Sequence, residues 1–154
     1  MGFGMAGVGL SVMHDANHGT YSKKDGVNKF IGKVLFLLGG SDVNWRIQHN
    51  VLHHTYTNVT GMDEDINPPP FLRFSPNAPK KKVHKFQVLY AWFFYGLMTF
   101  SWVSAKNFRE LIRYNKMNLV EAQNTTLKRE MTKLVFFKIG YILYLIVIPI
   151  VFTN

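Results

Sequence analysis

The chain has 154 residues, a formal net charge of +9, 47% hydrophobic residues and 15% aromatics, and its apolar residues fall in long blocks. That length allows one domain, and that blocking is a membrane composition. The basic residues flank the apolar blocks instead of forming one continuous face with a reader motif, which excludes nucleic acid and makes the lipid bilayer, with its anionic head groups, the expected partner. There is no cysteine, so a disulfide framework and a thiolate zinc site are excluded, and a reducing-side face fits.

Met1 to Met13 is uncharged and glycine-rich, but at ~1.5 Å per residue it reaches only about 20 Å of the ~30 Å that a bilayer core requires. It carries no basic start and no cleavage-like region, so it is expected to be the last part of a transmembrane helix and not a signal peptide. Gly2, Gly4, Gly7 and Gly9 would let a neighbouring helix approach closely. The helix is expected to run out of the membrane into His14-Asp15-Ala16-Asn17-His18 and to stop at Gly19. Tyr21 to Lys29 is a polar connection. The short run in Phe30 to Gly40 cannot span, so a partly inserted or surface helix is expected to return the chain to the same side.

Trp45 to Asn58 carries three more histidines, His49, His53 and His54. On an α-helix residues four apart share a face, so His14 with His18 and His49 with His53 are expected as two chelating pairs, with His54 about 100° further round. The acids Asp63, Glu64 and Asp65 follow, then Pro68-Pro69-Pro70, a stiff extended stretch that ends any helix. Asp15, Asp63 and Asp65 are candidates to orient imidazoles from outside the ligand set, Asp15 toward the other cluster; Glu64 reads as a counter-charge to the basic surroundings.

Phe86 to Ala105 has no charge, but its aromatics are spread along it instead of gathered at two ends. If it spanned, the basic residues before and after it would lie on opposite sides, so a surface-lying or re-entrant segment is expected. Leu134 to Thr153 reads as a spanning helix with Lys138 snorkelling at its basic end. His84, among lysines, reads as an ordinary surface residue.

A lone histidine is more often a satisfied core or surface residue than a ligand. Here five of six histidines fall into HxxxH and HxxxHH patterns that follow apolar segments, and such an imidazole-rich set suits iron, zinc, copper or nickel.

HDANH and HNVLHH resemble the first two histidine boxes of the membrane-bound fatty acid desaturases. NWRIQHNVLHHTYTN followed by GMDEDI and LRFSP resembles the bacterial acyl-lipid and linoleoyl-CoA branch, often called front-end desaturases. The resemblance covers nearly the whole chain. It implies an all-α integral membrane protein, its transmembrane helices extended into a cytosolic histidine-bearing cap with interfacial or re-entrant helices, in a bacterial inner membrane. It also implies two iron ions held by His14, His18, His49, His53 and His54, with O2 as co-substrate and two electrons used to place a cis double bond in an acyl-CoA or acyl-lipid. No nucleotide or haem fingerprint is present, so the electrons are expected from a separate donor, ferredoxin or a small haem cytochrome with its reductase. The family carries a third box, and no histidine follows His84. Residues 1–154 are therefore expected to be a partial desaturase domain, truncated at both ends and inactive alone. A related di-iron fatty acid hydroxylase or monooxygenase is the alternative within enzymes. A membrane metal-binding or transport protein without redox chemistry is the alternative outside them. DEDI and LRFSP favour desaturation.

Overall fold

In the computed structural model, which describes residues 2–152, the regular structure among those residues is all helical. Helix α1 (Gly2–Gly7), a π-helical turn (Val8–Val12) and α2 (Met13–Asn17) run on without a break, carrying the first histidine pair to the helix end. Gly19 ends the run at φ +78°, and the Thr20 and Tyr21 amides close back on the Asp15 carbonyl. Of the glycines in this apolar stretch, Gly9 packs against Leu38, while Gly4 and Gly7 face open space.

Helix α3 (Asp25–Gly32) begins inside the stretch expected as a polar connection, and a 3-10 segment (Lys33–Leu38) replaces the single short helix expected over the apolar run. Gly39, at φ +79°, turns the chain against the Tyr141 ring. Helix α4 (Asp42–Trp45), whose Asn44 amide donates to the Ser41 hydroxyl, passes into a π-helix (Arg46–His53) bearing the second histidine cluster. One face of this double segment is sealed into the core: Val43, Ile47 and Leu52 pack with Leu111, Tyr114, Val120 and Leu134. The core therefore lies directly behind the histidines.

Helix α5 (Gln87–Ser101), a π turn (Trp102–Lys106) and α6 (Asn107–Lys116) follow the proline loop. Lys82–Met98 and Trp102–Lys116 are bent by 54° from each other, a shape that suits either a broken span or a re-entrant loop. Helix α7 (Leu127–Ile142) continues through a π turn (Leu143–Val147) into α8 (Ile148–Phe152). Leu127–Phe152 is 26 residues long with hydropathy 2.4, and only 17% of its most apolar window is buried, as a lipid-facing helix requires. Met1 and Thr153, the outer limits of the two expected apolar segments, lie outside the described residues.

Lys138 does not snorkel. Its ammonium is buried and donates to the carbonyls of Gly39, Trp102 and Val103 at 3.1, 3.1 and 2.6 Å.

The packing of α3 on α2 supplies a local test. A Cβ on Gly32 would lie 2.6 Å from Oδ1 of buried Asn17, whose Nδ2 donates to the Gly32 carbonyl, whereas a Cβ on Gly26 meets nothing within 4 Å. Gly26→Ala is expected to be neutral or to stabilise by up to about 1 kcal/mol through helix propensity. Gly32→Ala is expected to cost roughly 1–3 kcal/mol, because Asn17 must move. Thermal unfolding in detergent followed by circular dichroism separates them; equal midpoints would show that Asn17 is not held there.

Candidate metal centre

Two helix ends bring the histidines together. The α2 spacing sets His14 and His18 on one face, with ring centroids 4.6 Å apart. The second cluster does not follow α-helical phasing: the His54 amide donates to the His49 carbonyl, a five-residue step. That wider winding carries His54 back over His49, with Nε2 to Nε2 at 3.3 Å. His49, expected to pair with His53, thus pairs with His54.

Across the helix ends, His49 lies 5.2 Å from His14 and 5.1 Å from His18, and His54 lies 5.2 Å from His18, all between centroids. His14, His18 and His49 can each offer one ligand nitrogen with all three atoms within 4.8 Å of one another. His53 is turned to the other side. Its Nδ1 lies 3.1 Å from Asp63 Oδ1 and 3.3 Å from Asp65 Oδ2, and these three residues form a second group of donors within the same limit. Two adjoining donor clusters result, one of imidazoles and one of imidazole with carboxylates. Asp15 contacts His14 of its own cluster at 3.1 Å, not a ring of the other, and its carboxylate is half exposed.

The electrostatics favour lone pairs over protons. Burial, and then the neighbouring rings of His54, His18, His14 and His53, push the His49 pKa down to about 4. Burial and the rings of His14 and His54 also lower His18, against the opposing pull of Asp15. His49 is neutral at physiological pH, as a metal ligand must be. Burial would raise Asp63, but hydrogen bonds from the Asn58 amide, the His53 ring and the Asp65 amide hold it below the usual carboxylate range. It remains a charged acceptor able to fix the His53 ring. The donor chemistry therefore fits a histidine-bound metal of the kind the resemblance implies.

Sequence reasoning left Trp45 and Arg46 without roles. Trp45 stacks on His49 at 4.5 Å and sets its edge against His14 and His18; its position four residues before His49 was the available signal. Arg46 Nη1 donates to Asn17 Oδ1 at 3.2 Å and to Asp42 at 3.0 Å, and Asn50 donates to the Asn17 carbonyl at 2.9 Å. These bonds tie the two histidine segments together. His84 is a tie rather than a bare surface residue: its ring bonds the Lys81 amide and the Pro70 carbonyl.

The profile of the fatty acid desaturase family matches residues 1–153. An sn-1 linoleoyl-lipid 6-desaturase of Arthrospira platensis is 40% identical over 102 residues, 66% of this chain and 28% of the relative. An acyl-lipid (8-3)-desaturase of Physcomitrium patens is 34% identical over 156 aligned positions, 99% of this chain and 32% of the relative. The chain thus spans about a third or less of these curated relatives. No solved structure is a significant match.

The geometry separates ligands from bystanders. In the purified chain, His14→Ala, His18→Ala and His49→Ala are each expected to weaken Fe2+ or Co2+ binding at least tenfold. Asp63→Asn is expected to weaken it about 10–100-fold by freeing His53, and His84→Ala to leave it unchanged. Metal affinity by titration checks this, and an unaltered affinity in any of the first three would remove that residue from the ligand set.

Proposed function

Because this chain belongs to the fatty acid desaturase family, we propose that its histidine cluster is part of the iron centre of an O2-dependent acyl-lipid desaturase. The observation that carries the reading is the convergence of His14, His18, His49 and His54 from two separate helices. In this proposal those four and His53 hold two irons, and Asp63 and Asp65 orient His53. Iron, when bound, supplies with O2 and two electrons the oxidising power to remove two hydrogens from an unactivated acyl chain. The chain's own residues fix the donors: Trp45 packs the His49 ring in place, Asp63 holds the His53 tautomer, and the Asn17–Arg46–Asn50 bonds keep the two helix ends in register. Support for a lipid-linked substrate comes from the relatives, which are named acyl-lipid or linoleoyl-lipid desaturases. A separate ferredoxin or small haem cytochrome supplies the electrons.

Expression in a host that lacks the product fatty acid tests the activity. A full-length protein that carries this segment is expected to give an unsaturated product by gas chromatography and mass spectrometry, each of its five box His→Ala variants none, and its His84→Ala variant the unsubstituted amount. Five imidazoles fill only part of two coordination shells. The 154-residue chain by itself is therefore expected to bind fewer than two irons and to form no product. Two irons per chain with steady turnover would sink this account of the ligand set.

The proposed topology places the site in the cytosol beside a bacterial inner membrane. Leu127–Phe152 spans, and the bent pair Lys82–Lys116 dips in and returns, so the basic residues before and after it share one side. Single cysteines at positions 23, 81, 116 and 129 are all expected to resist an impermeant reagent added outside intact cells. Labelling at 116 and 129 alone would show that the bent pair crosses.

A further inference from the structure

We propose that Arg113 and Tyr114 on α6 are positioning residues for the metal centre: through Glu64 they clamp the loop that carries Asp63 and Asp65, and so fix the His53 imidazole. The consequence for metal rests on the metal-centre reading above; the clamp and its hold on His53 do not.

The three consecutive acids divide between two neighbours. Asp63 and Asp65 reach His53 Nδ1, at 3.1 and 3.3 Å. Glu64, between them, is turned to α6 instead, and its Oε1 accepts from Arg113 Nη1 at 2.7 Å and from the Tyr114 hydroxyl at 2.9 Å. The same guanidinium donates through Nη2 to the Gly61 carbonyl at 2.8 Å. Arg113 therefore grips the loop at two points, one before Asp63 and one after it.

The loop needs that outside hold. It turns through the left-handed region at Asn58 and Gly61, with φ 63° and 86°. Its other hydrogen bonds join it to itself or to the helix before it: the Asn58 and Asp65 amides donate to Asp63, the Asp63 amide to the Val59 carbonyl, and Gln48 to Asp65. Met62 packs on the core, but apolar contact is non-directional and sets no register. Tyr114 does set one. It is fully buried in the core with Val43, Ile47 and Leu111, so its hydroxyl is a fixed point of the body that backs the histidine segment.

Electrostatics make the clamp strict. The Glu64 side chain is 12% exposed, and Glu110, also buried, repels its charge. Glu110 is itself engaged by Lys106 at 3.2 Å and Asn107 at 3.3 Å. The two donors from α6 are what keep the Glu64 carboxylate in place. Stripping a buried carboxylate of its cation is strongly unfavourable, so without Arg113 the loop shifts to bring Glu64 to water and takes Asp63 with it. A carboxylate only accepts, so Asp63 takes the Nδ1–H of His53 and leaves the lone pair on Nε2. A loosened loop lets the ring exchange tautomers.

The test uses the 154-residue chain in detergent with 15N-labelled histidine, first free of metal and then titrated with Co2+; His53→Gln identifies the His53 signals. The unsubstituted chain is expected to show one His53 tautomer, protonated at Nδ1. In Arg113→Met the two tautomers are expected to average, and Co2+ binding to weaken about three- to tenfold, less than on loss of a direct outer partner. That direction decides the cause, because losing a nearby positive charge would by itself tighten binding of a cation. Glu64→Gln keeps the accepting oxygen and is expected to retain both tautomer and affinity, whereas Glu64→Met is expected to lose both. The Arg113 side chain is 35% exposed, so its substitution leaves the core intact, which unchanged helix content by circular dichroism verifies. Arg109→Gln, which removes an exposed cation of the same helix, is expected to change neither readout. Tighter Co2+ binding in Arg113→Met, equal losses in Glu64→Gln and Glu64→Met, or an Arg109→Gln effect as large as that of Arg113→Met would each overturn the clamp. The metal-free spectrum keeps the two readings apart. A His53 spectrum unmoved in Arg113→Met, with His49→Ala still losing Co2+, would sink the clamp alone; a spectrum that responds in a chain whose Co2+ affinity ignores every box histidine would sink the metal centre and leave the clamp standing.

Discussion

The arrangement of the centre depends on one backbone step, the five-residue hydrogen bond from the His54 amide to the His49 carbonyl. With α-helical winding, a residue five positions on lies about 140° away, and His54 would face away from His49. The π step brings the two nitrogens to 3.3 Å and turns His53 toward Asp63. One local change in winding thus divides three histidines close in sequence between an imidazole cluster and a carboxylate-held ring. Such winding is intrinsically unfavourable and is kept where the surroundings over-determine it. Ile47 and Leu52, fully sealed in the core on the opposite face, supply that constraint.

Holding the rings also requires the two segments to keep register, and a polar network does this. Asn17 is buried at the end of the first cluster and receives Arg46 and Asn50 from the second, while its own amide reaches back to the Met13 and Gly32 carbonyls. Each such bond contributes only about 0.5–1.5 kcal/mol net, yet losing one partner strands the others in a poorly solvated place. The network therefore contributes specificity more than bulk stability: it admits one relative placement of the histidine pairs. Gly32 is part of that device, because only a residue without Cβ lets the Asn17 amide lie against the α3 backbone.

Much of this was legible in the sequence. The five histidines, the helix into HDANH, the stop at Gly19 and the apolar run near the C-terminal end follow from periodicity, charge and glycine chemistry, which are local properties. The acids at 63 and 65 were legible as partners of an imidazole, though not of His53 in particular. The π step was not, because HNVLHH permits either i+4 or i+5 pairing, and the choice is made by how Leu52 and Ile47 reach the core. The partner of Asp15 was not legible either, because side-chain rotamers, not composition, decide between the adjacent His14 and a ring of the other cluster.

Lys138 shows the limit most clearly, since a lysine near the basic end of an apolar helix reads as one that reaches for water. Its acceptors are created by irregular backbone far away in sequence, at Gly39 after the 3-10 segment and at Trp102 and Val103 in a π turn, where carbonyls are available to a third party. Three charge-assisted bonds offset the cost of taking the ammonium out of water. In return, the long apolar helix Leu127–Phe152 is fixed against the bend between α5 and α6 and against the chain that leads into the second histidine segment. With Lys138 turned inward, Arg129 and Lys133 are the cations α7 presents at a cavity beside the first histidine pair.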